Sequence, residues 1–268
     1  MLKDITLGQY FPGNTPIHRL DPRTKILLVV IYIVALFVAS GWICYGIVFL
    51  ALCCAVIISK IRLKSLFKGL RPLIVIIIIT AVLNIFYTPG ETVLIKFWII
   101  TVTLEGLETA FFMVARIVLL VLGSLMLTYT TSPIMLTDGL EGLLKPLKLI
   151  HVPVHELSMM MSIALRFIPT LIEETDKIMS AQKARGADFE TGNLIQRAKA
   201  LLPILVPLFV SSFRRADELA VAMESRCYHG GEGRTRMTQL KYGKNDYFAL
   251  FLGLLLVAAV NVLRHYGL

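Results

Sequence analysis

Two arginines close two similar segments of this chain, and no other residues combine type and spacing so suggestively. Thr175-Asp176-Lys177-Ile178-Met179-Ser180-Ala181-Gln182-Lys183-Ala184-Arg185-Gly186 aligns with Ala216-Asp217-Glu218-Leu219-Ala220-Val221-Ala222-Met223-Glu224-Ser225-Arg226-Cys227. In both, an Asp precedes an Arg by nine residues. In both, the Arg ends a small-residue helix. Gly186 is a good C-terminal stop, and Tyr228-His229-Gly230-Gly231 stops the second. A cation at a helix C-terminus is favoured by the helix dipole, typically by about 0.3–1 kcal/mol. That accounts for the arginines without any partner. The alternative is chemical: a guanidinium captures a partner's carboxylate through two parallel bonds. Two equivalent arginines on two equivalent helices suit two equivalent partner subunits.

Other chemistry finds little support. Gly243-Lys244-Asn245 lacks the earlier glycine and the hydroxyl of a phosphate loop. Gly230-Gly231-Glu232-Gly233 reads as a flexible turn. His151 and His155 are four apart, but Pro153 lies between them and no HExxH order exists, so a metal site is not supported. No nucleophile elbow or paired-carboxylate pattern stands out, and no cofactor is implied. If the protein works with ATP, another chain hydrolyses it. Cys44, Cys53 and Cys54 sit in apolar runs and read as small hydrophobes. Cys227 lies in a charged segment, and no CxxC spacing occurs.

The elements that must position the arginines follow from composition. Of 268 residues, 56% are hydrophobic and 17% charged, against about 45–50% and about 25% in soluble domains. The expectation is an all-α polytopic membrane protein in a lipid bilayer. The net charge of +9 reads as basic loops at a membrane surface; no aromatic-interleaved basic patch points to nucleic acid. A span needs about 20 apolar residues. Ile26 to Ser59 carries no charge, and Ser40-Gly41-Trp42 divides it into two short spans, near 25–39 and 42–59, with one long tilted helix as the alternative. Pro72 to Tyr87, Leu107 to Tyr129 and Tyr247 to Leu263 give about five in all. Arg116 lies within the fourth and is expected to snorkel or to pair inside the bundle. No acidic residue lies deep in a span, which counts against a proton-coupled transporter. Leu2 to Arg23 has no apolar core of a cleavable signal. Lys3, Arg19, Arg23 and Lys25, and then Lys60, Arg62, Lys64, Lys68 and Arg71, put the N-terminus in the cytoplasm; with five spans the C-terminus lies outside. The domains read as a cytoplasmic N-terminal segment (1–24), a four-span region (25–129), a cytoplasmic coupling region (130–246) and a last span (247–268).

Residues 130–246 hold 15 Lys and Arg and 13 Asp and Glu. Ser158 to Ile172 and Ala200 to Phe213 are apolar but too short to span, and each passes into a charged helical tail. Such segments suit long helices along or beneath the membrane, kinked at Pro169, Pro203 and Pro207. Met159-Met160-Met161 is either core filling or an adaptable contact surface.

Tyr10-Phe11-Pro12-Gly13-Asn14-Thr15-Pro16-Ile17-His18-Arg19-Leu20-Asp21-Pro22-Arg23-Thr24-Lys25 resembles the N-terminal signature of the transmembrane T component of energy-coupling factor transporters. Ala164-Leu165-Arg166-Phe167-Ile168-Pro169-Thr170-Leu171, followed by Ala181-Gln182-Lys183-Ala184-Arg185-Gly186, resembles the middle region of the same family. The likeness covers essentially the full chain. It implies a non-catalytic coupling subunit of a vitamin importer of the ABC type in a bacterial cell membrane. It implies two ATP-binding subunits and one exchangeable substrate-binding membrane subunit as partners. The family's x-Arg-x motifs resemble Ala184-Arg185-Gly186 and Ser225-Arg226-Cys227, which implies that these triplets dock the two ATPases; the second departs from the commoner Ala-Arg-Gly form. The surface expected to hold the substrate-binding subunit includes Met159, Met160, Met161, Leu165, Ile168, Leu201, Leu205, Leu208 and Phe209. Alternatives are an ABC permease that binds its own substrate, an integral-membrane enzyme, and a T component dedicated to cobalt or nickel.

Overall fold

The computed structural model describes residues 10–90, 92–97, 100–189, 193–230 and 239–266. Lys3 and residues 231–233, used above, lie outside the described residues. Among these, nine α-helices dominate: α1 (Pro22–Val38), α2 (Gly41–Ser59), α3 (Leu63–Leu70), α4 (Ile74–Tyr87), α5 (Leu104–Thr130), α6 (Pro133–Leu144), α7 (Val154–Ala184), α8 (Leu194–Glu224) and α9 (Lys244–His265). Short 3-10 turns occupy Arg71–Leu73 and Lys145–Ile150. Strands β1 (Val93–Phe97) and β2 (Ile100–Thr103) form one antiparallel hairpin, with Lys96 opposite Thr101. The described residues divide into two compact units, one holding residues 10–140 and 240–266 and the other lying within 141–239.

The first unit is a helical bundle that is apolar inside and out. Leu36 of α1, Val48 and Leu52 of α2, Leu119 and Met126 of α5 and Val260 of α9 are buried together. Phe37 of α1, Phe49 and Ile57 of α2 and Leu254 of α9 are exposed on the same helices, and Ile76 and Ile79 are exposed on α4. A helix that is hydrophobic all round fits lipid, where every backbone group must be satisfied within the segment. The uncharged run of residues 26–59 is two helices, not one. Gly41 takes the left-handed backbone (φ 78) at the turn, a conformation that costs an ordinary L-residue about 1–2 kcal/mol. The hairpin β1–β2 was expected only as loop.

Among the described residues, five helices of 19 residues or more are apolar enough to cross a membrane: Gly41–Ser59, Leu63–Tyr87, Leu104–Thr130, Ile195–Glu224 and Lys244–His265. Four of them fall on expected spans, and the fifth lies in α8. Helix α1, on the expected first span, has 17 residues, at the short end of what a span needs. Residues 200–213, expected to be too short, belong to the 31-residue helix α8, which continues through Pro203 and Pro207. Helix α7 likewise runs unbroken through Pro169.

A polar clasp closes one end of the bundle, and the signature residues 10–25 build it. Asp21 caps α1, its carboxylate accepting from the Arg23 amide at 2.9 Å. The Asp21 amide donates to Asp246 Oδ1 on α9 at 2.8 Å, and the Gly243 amide donates to Asp246 Oδ2 at 2.7 Å. The buried Lys25 ammonium donates to the carbonyls of His18 (3.0 Å) and Thr130 (2.8 Å), tying α1 to the end of α5. His18 is itself fixed. Its Nε2 donates to the Phe11 carbonyl at 3.1 Å, and its Nδ1 accepts from the Thr15 hydroxyl at 2.7 Å. Burial holds its pKa below the usual value, in keeping with that neutral arrangement. The Phe11 amide donates to the Tyr129 carbonyl at 3.0 Å, and the Tyr129 hydroxyl reaches the Ser65 carbonyl at 3.1 Å. Farther along, Gly123 lets α5 meet the Tyr32 ring of α1; a Cβ there would collide with it.

Arg116 neither snorkels nor pairs with an acid among the described residues. Its Nε donates to the Tyr45 hydroxyl at 2.9 Å, and its guanidinium lies 5.9 Å from the Phe37 and Tyr45 ring centroids. Ring faces attract the cation and spare the bundle a bare charge.

Asp246→Ala removes the acceptor for two backbone amides. It should lower the stability of the detergent-purified protein by about 2–3 kcal/mol, read as a fall in thermal midpoint, with Asp246→Asn losing less because its amide oxygen still accepts one bond.

Candidate functional site

The two arginines both belong to the second unit, and the helices that carry them end in the same way. In α7 the Gly186 amide bonds to the Lys183 carbonyl (3.0 Å) and the Ala187 amide to the Gln182 carbonyl (3.0 Å). In α8 the Cys227 amide bonds to the Glu224 carbonyl (2.8 Å) and the Tyr228 amide to the Met223 carbonyl (3.0 Å). Each end thus has a left-handed residue, Gly186 (φ +88) or Cys227 (φ +58), directly after the arginine. The long reverse bond reaching back five residues is the Schellman closure of a helix. The sequence repeat is therefore a structural repeat, with Arg185 equivalent to Arg226 and Gly186 to Cys227. Both arginines are exposed, as are Ala184, Gly186, Ser225 and Cys227. Neither arginine makes a side-chain hydrogen bond or ion pair among the described residues. The carbonyls of Gln182 and Lys183 in α7, and of Met223 and Glu224 in α8, are already partnered by backbone amides, which leaves the guanidinium donors for something else.

Helices α7 and α8 pack side by side and run antiparallel. The Tyr228 hydroxyl lies 3.1 Å from the Met159 sulfur, near the start of α7. Glu174, farther along α7, meets the middle of α8. It accepts from the Ser211 hydroxyl in a short bond, and from Arg215 Nη2 at 2.7 Å. Arg185 lies eleven residues beyond Glu174, and Arg226 eleven residues beyond Arg215. At about 1.5 Å of rise per residue, each arginine is about 16 Å from that ion pair, in opposite directions along the pair of helices. An open apolar groove of about 430 Å³ runs between α7 and α8, lined by Phe167, Ala216, Met223 and Tyr228 among others.

The apolar set is divided. Met160, Met161, Leu201, Leu205 and Phe209 are exposed, while Met159, Leu165, Ile168 and Leu208 are half-buried. On α8 the exposed residues form a stripe: Leu201, Leu205, Phe209 and Phe213 recur every fourth residue, beside Leu202, Val206 and Val210. Phe209 and Phe213 meet edge to face with centroids 4.8 Å apart. Of the expected residues on α8, Leu201, Leu205 and Phe209 lie in this stripe, while Leu208 is half-buried. Met159 differs because its sulfur faces Tyr228, a contact across 69 residues that no local pattern encodes. The Glu174 cluster lay hidden for the same reason. The possible histidine pair does not form a helix face: His151 is in a left-handed turn before α7 begins, and His155 Nδ1 lies 3.1 Å from Glu141 Oε1.

The helix ends can be tested directly. Gly186→Ala should cost about 1–2 kcal/mol, and Cys227→Gly should gain a comparable amount, because only glycine occupies the left-handed region freely. Amide hydrogen exchange in the last turns of α7 and α8 reads both changes. The Ser211 hydroxyl first, and then Arg215 and Lys177, hold the Glu174 carboxyl below its ordinary value of 4.5. The contribution of this group to stability is therefore complete above that value and is lost as pH falls through the lower folded one. Acid titration of thermal unfolding should show that loss, and Glu174→Gln should remove it.

The sequence model of the CbiQ family, described as cobalt transport protein, matches residues 13–237. A curated relative from Clostridium kluyveri, the energy-coupling factor transporter transmembrane protein EcfT, is 57% identical over 258 residues, covering 96% of each chain. Proteins of the same name from Acidaminococcus fermentans and Thermosediminibacter oceani are 56% and 55% identical, over 98% and 97% of this chain. With the family matched over most of its length and relatives this similar from end to end, the chain belongs to the transmembrane T components of energy-coupling factor transporters.

Proposed function

We propose that this membrane protein couples the ATP-driven motion of two ATPase subunits to a substrate-binding membrane subunit, for uptake of a vitamin or other micronutrient. The observation that carries the reading is the pair of equivalent helix ends. Each presents an exposed arginine whose backbone neighbours are already satisfied, and the two lie at opposite ends of the α7–α8 pair. That spacing supports one arginine per ATPase, with Ala184-Arg185-Gly186 entering one subunit and Ser225-Arg226-Cys227 the other. A carboxylate in each groove is the matching chemistry. ATP binding draws the two ATPases together and displaces both ends. The exposed apolar stripe of α8, with Met160 and Met161 of α7, holds the substrate-binding subunit and passes the displacement on. The N-terminus lies in the cytoplasm in this reading, supported by the Lys and Arg of residues 19–25 and 60–71.

The choice of cargo belongs to the partner in this reading; the family's description as cobalt transport protein and the relatives' general name do not fix it. A second reading of the α8 stripe is contact with lipid, favoured by the length and apolar composition of that helix. Phe209→Ser with Leu205→Ser separates the two: loss of the substrate-binding subunit on purification supports the coupling face, and full retention supports lipid.

Arg185→Glu with Arg226→Glu should abolish uptake and release the ATPases while the protein still inserts. Each single variant should release one ATPase more than the other. Co-purification of both ATPases at normal yield with the double variant would refute the docking role.

A further inference from the structure

Between the two arginine ends, one polar cluster holds α7 against α8. We propose that Glu174, Arg215 and Ser211 form the fulcrum of the coupling helices, locking their register so that a push at either end turns the pair instead of sliding one helix along the other. This rests on the docking reading above.

Three observations carry it. The first is the engagement of the Glu174 carboxylate. Both its oxygens are held, Oε1 by the Ser211 hydroxyl and Oε2 by Arg215 Nη2 at 2.7 Å. The Glu174 and Arg215 side chains are only 22% and 34% exposed, and Arg215 Nε is shielded from solvent without a hydrogen-bond partner of its own. A charged pair held this way is directional, and water competes with it less than at an open surface. The second is its position. It stands eleven residues from each arginine, so the lever arms are equal and a displacement at one end has the same reach as at the other. The third is the open groove beside it. Toward the Arg226 end, α8 lines this groove with Ser212, Ala216, Leu219, Ala220 and Met223, facing Ile163 and Phe167. Apolar side chains beside open space resist axial sliding weakly. A second cross-helix polar contact, Tyr228 to the Met159 sulfur, uses a weak acceptor on a flexible side chain. A slip of one helical turn, about 5.4 Å, would break both bonds to Glu174 at once.

Positioning, not docking, is thus the role of these residues. The measurement is uptake per ATP hydrolysed, in liposomes holding the complete complex with its two ATPases and substrate-binding subunit. For Glu174→Gln and for Arg215→Gln, both ATPases should co-purify and hydrolysis should continue, while uptake per ATP falls roughly tenfold, on the scale of removing one partner of a shielded charge pair. The exchange Glu174→Arg with Arg215→Glu should recover part of that ratio. Ser211→Ala, which keeps the ion pair and the fold, should give an intermediate loss, and it tests the cluster if the charged variants fail to insert. Unchanged uptake per ATP in Ser211→Ala and in the single charge variants would overturn the fulcrum. So would a double exchange no better than either single variant, or loss of an ATPase from Glu174→Gln. Failure of the docking reading shows elsewhere, as ATPases retained by the Arg185→Glu, Arg226→Glu double variant.

Discussion

Two long helices lying side by side transmit force only if their register holds. Apolar packing between helices is poor at this, because dispersion contacts are individually weak and nearly equivalent from one position to the next. A hydrogen-bonded ion pair is different, since its strength depends on a particular distance and direction. In the α7–α8 pair the directional contact is Glu174, between Ser211 and Arg215. Arg185 and Arg226 are alike in exposure, in the left-handed residue that follows each and in their distance of eleven residues from this ion pair.

The bundle solves a separate problem by similar means. Its helices are apolar on both faces, so in lipid the hydrophobic effect gives little preference for one neighbour over another. What selects the arrangement is packing at small residues and a few directional polar contacts. Gly123 admits the Tyr32 ring, and the Tyr32 hydroxyl then donates to the Leu119 carbonyl at 3.0 Å. At the bundle's end, Asp21, Lys25 and Asp246 join the starts of α1 and α9 to the end of α5. Buried charge is costly unless each charge is answered, and here the ammonium meets two carbonyls and the Asp246 carboxylate meets two amides. These contacts bridge residues 105 and 225 apart in sequence.

That span of separations explains which parts were legible beforehand. Helix α2, α5 and α9 could be read within a few residues because membrane length and apolar composition are local properties. The repeat around Arg185 and Arg226 was legible because helix ends are written locally, in small residues followed by glycine or a substitute. The long course of α7 and α8 was legible too, because proline removes one bond and a long helix keeps the rest. The hairpin β1–β2 was less so: Val93–Phe97 and Ile100–Thr103 are rich in β-branched residues, yet they fall in a short connection between two spans. The clasp and the Glu174 cluster depend on which helices become neighbours, and periodicity is silent on that. Asp246 stands in the first turn of α9, where its sequence neighbours carry no sign of Asp21.

The residues that gave the chain its family resemblance are now intelligible as a group. Two of the three stretches do polar or conformational work. Tyr10 to Lys25 builds the clasp, and Ala184-Arg185-Gly186 closes α7. A lipid-facing Ile, Leu or Val can be exchanged for another with little change in free energy, since the acyl chains adapt to either. A carboxylate that must accept two amides from different segments cannot be exchanged so freely, nor can a residue in the left-handed region at a helix end. Cys227 is instructive here. It occupies the position glycine holds in α7 and bears the conformational cost of a side chain there. The backbone bonds of the closure are nonetheless complete, so the arginine before it is presented as Arg185 is. What the two helix ends share is therefore the path of the backbone rather than the identity of the capping residue, and it is that path which directs both guanidinium groups away from the helices that carry them.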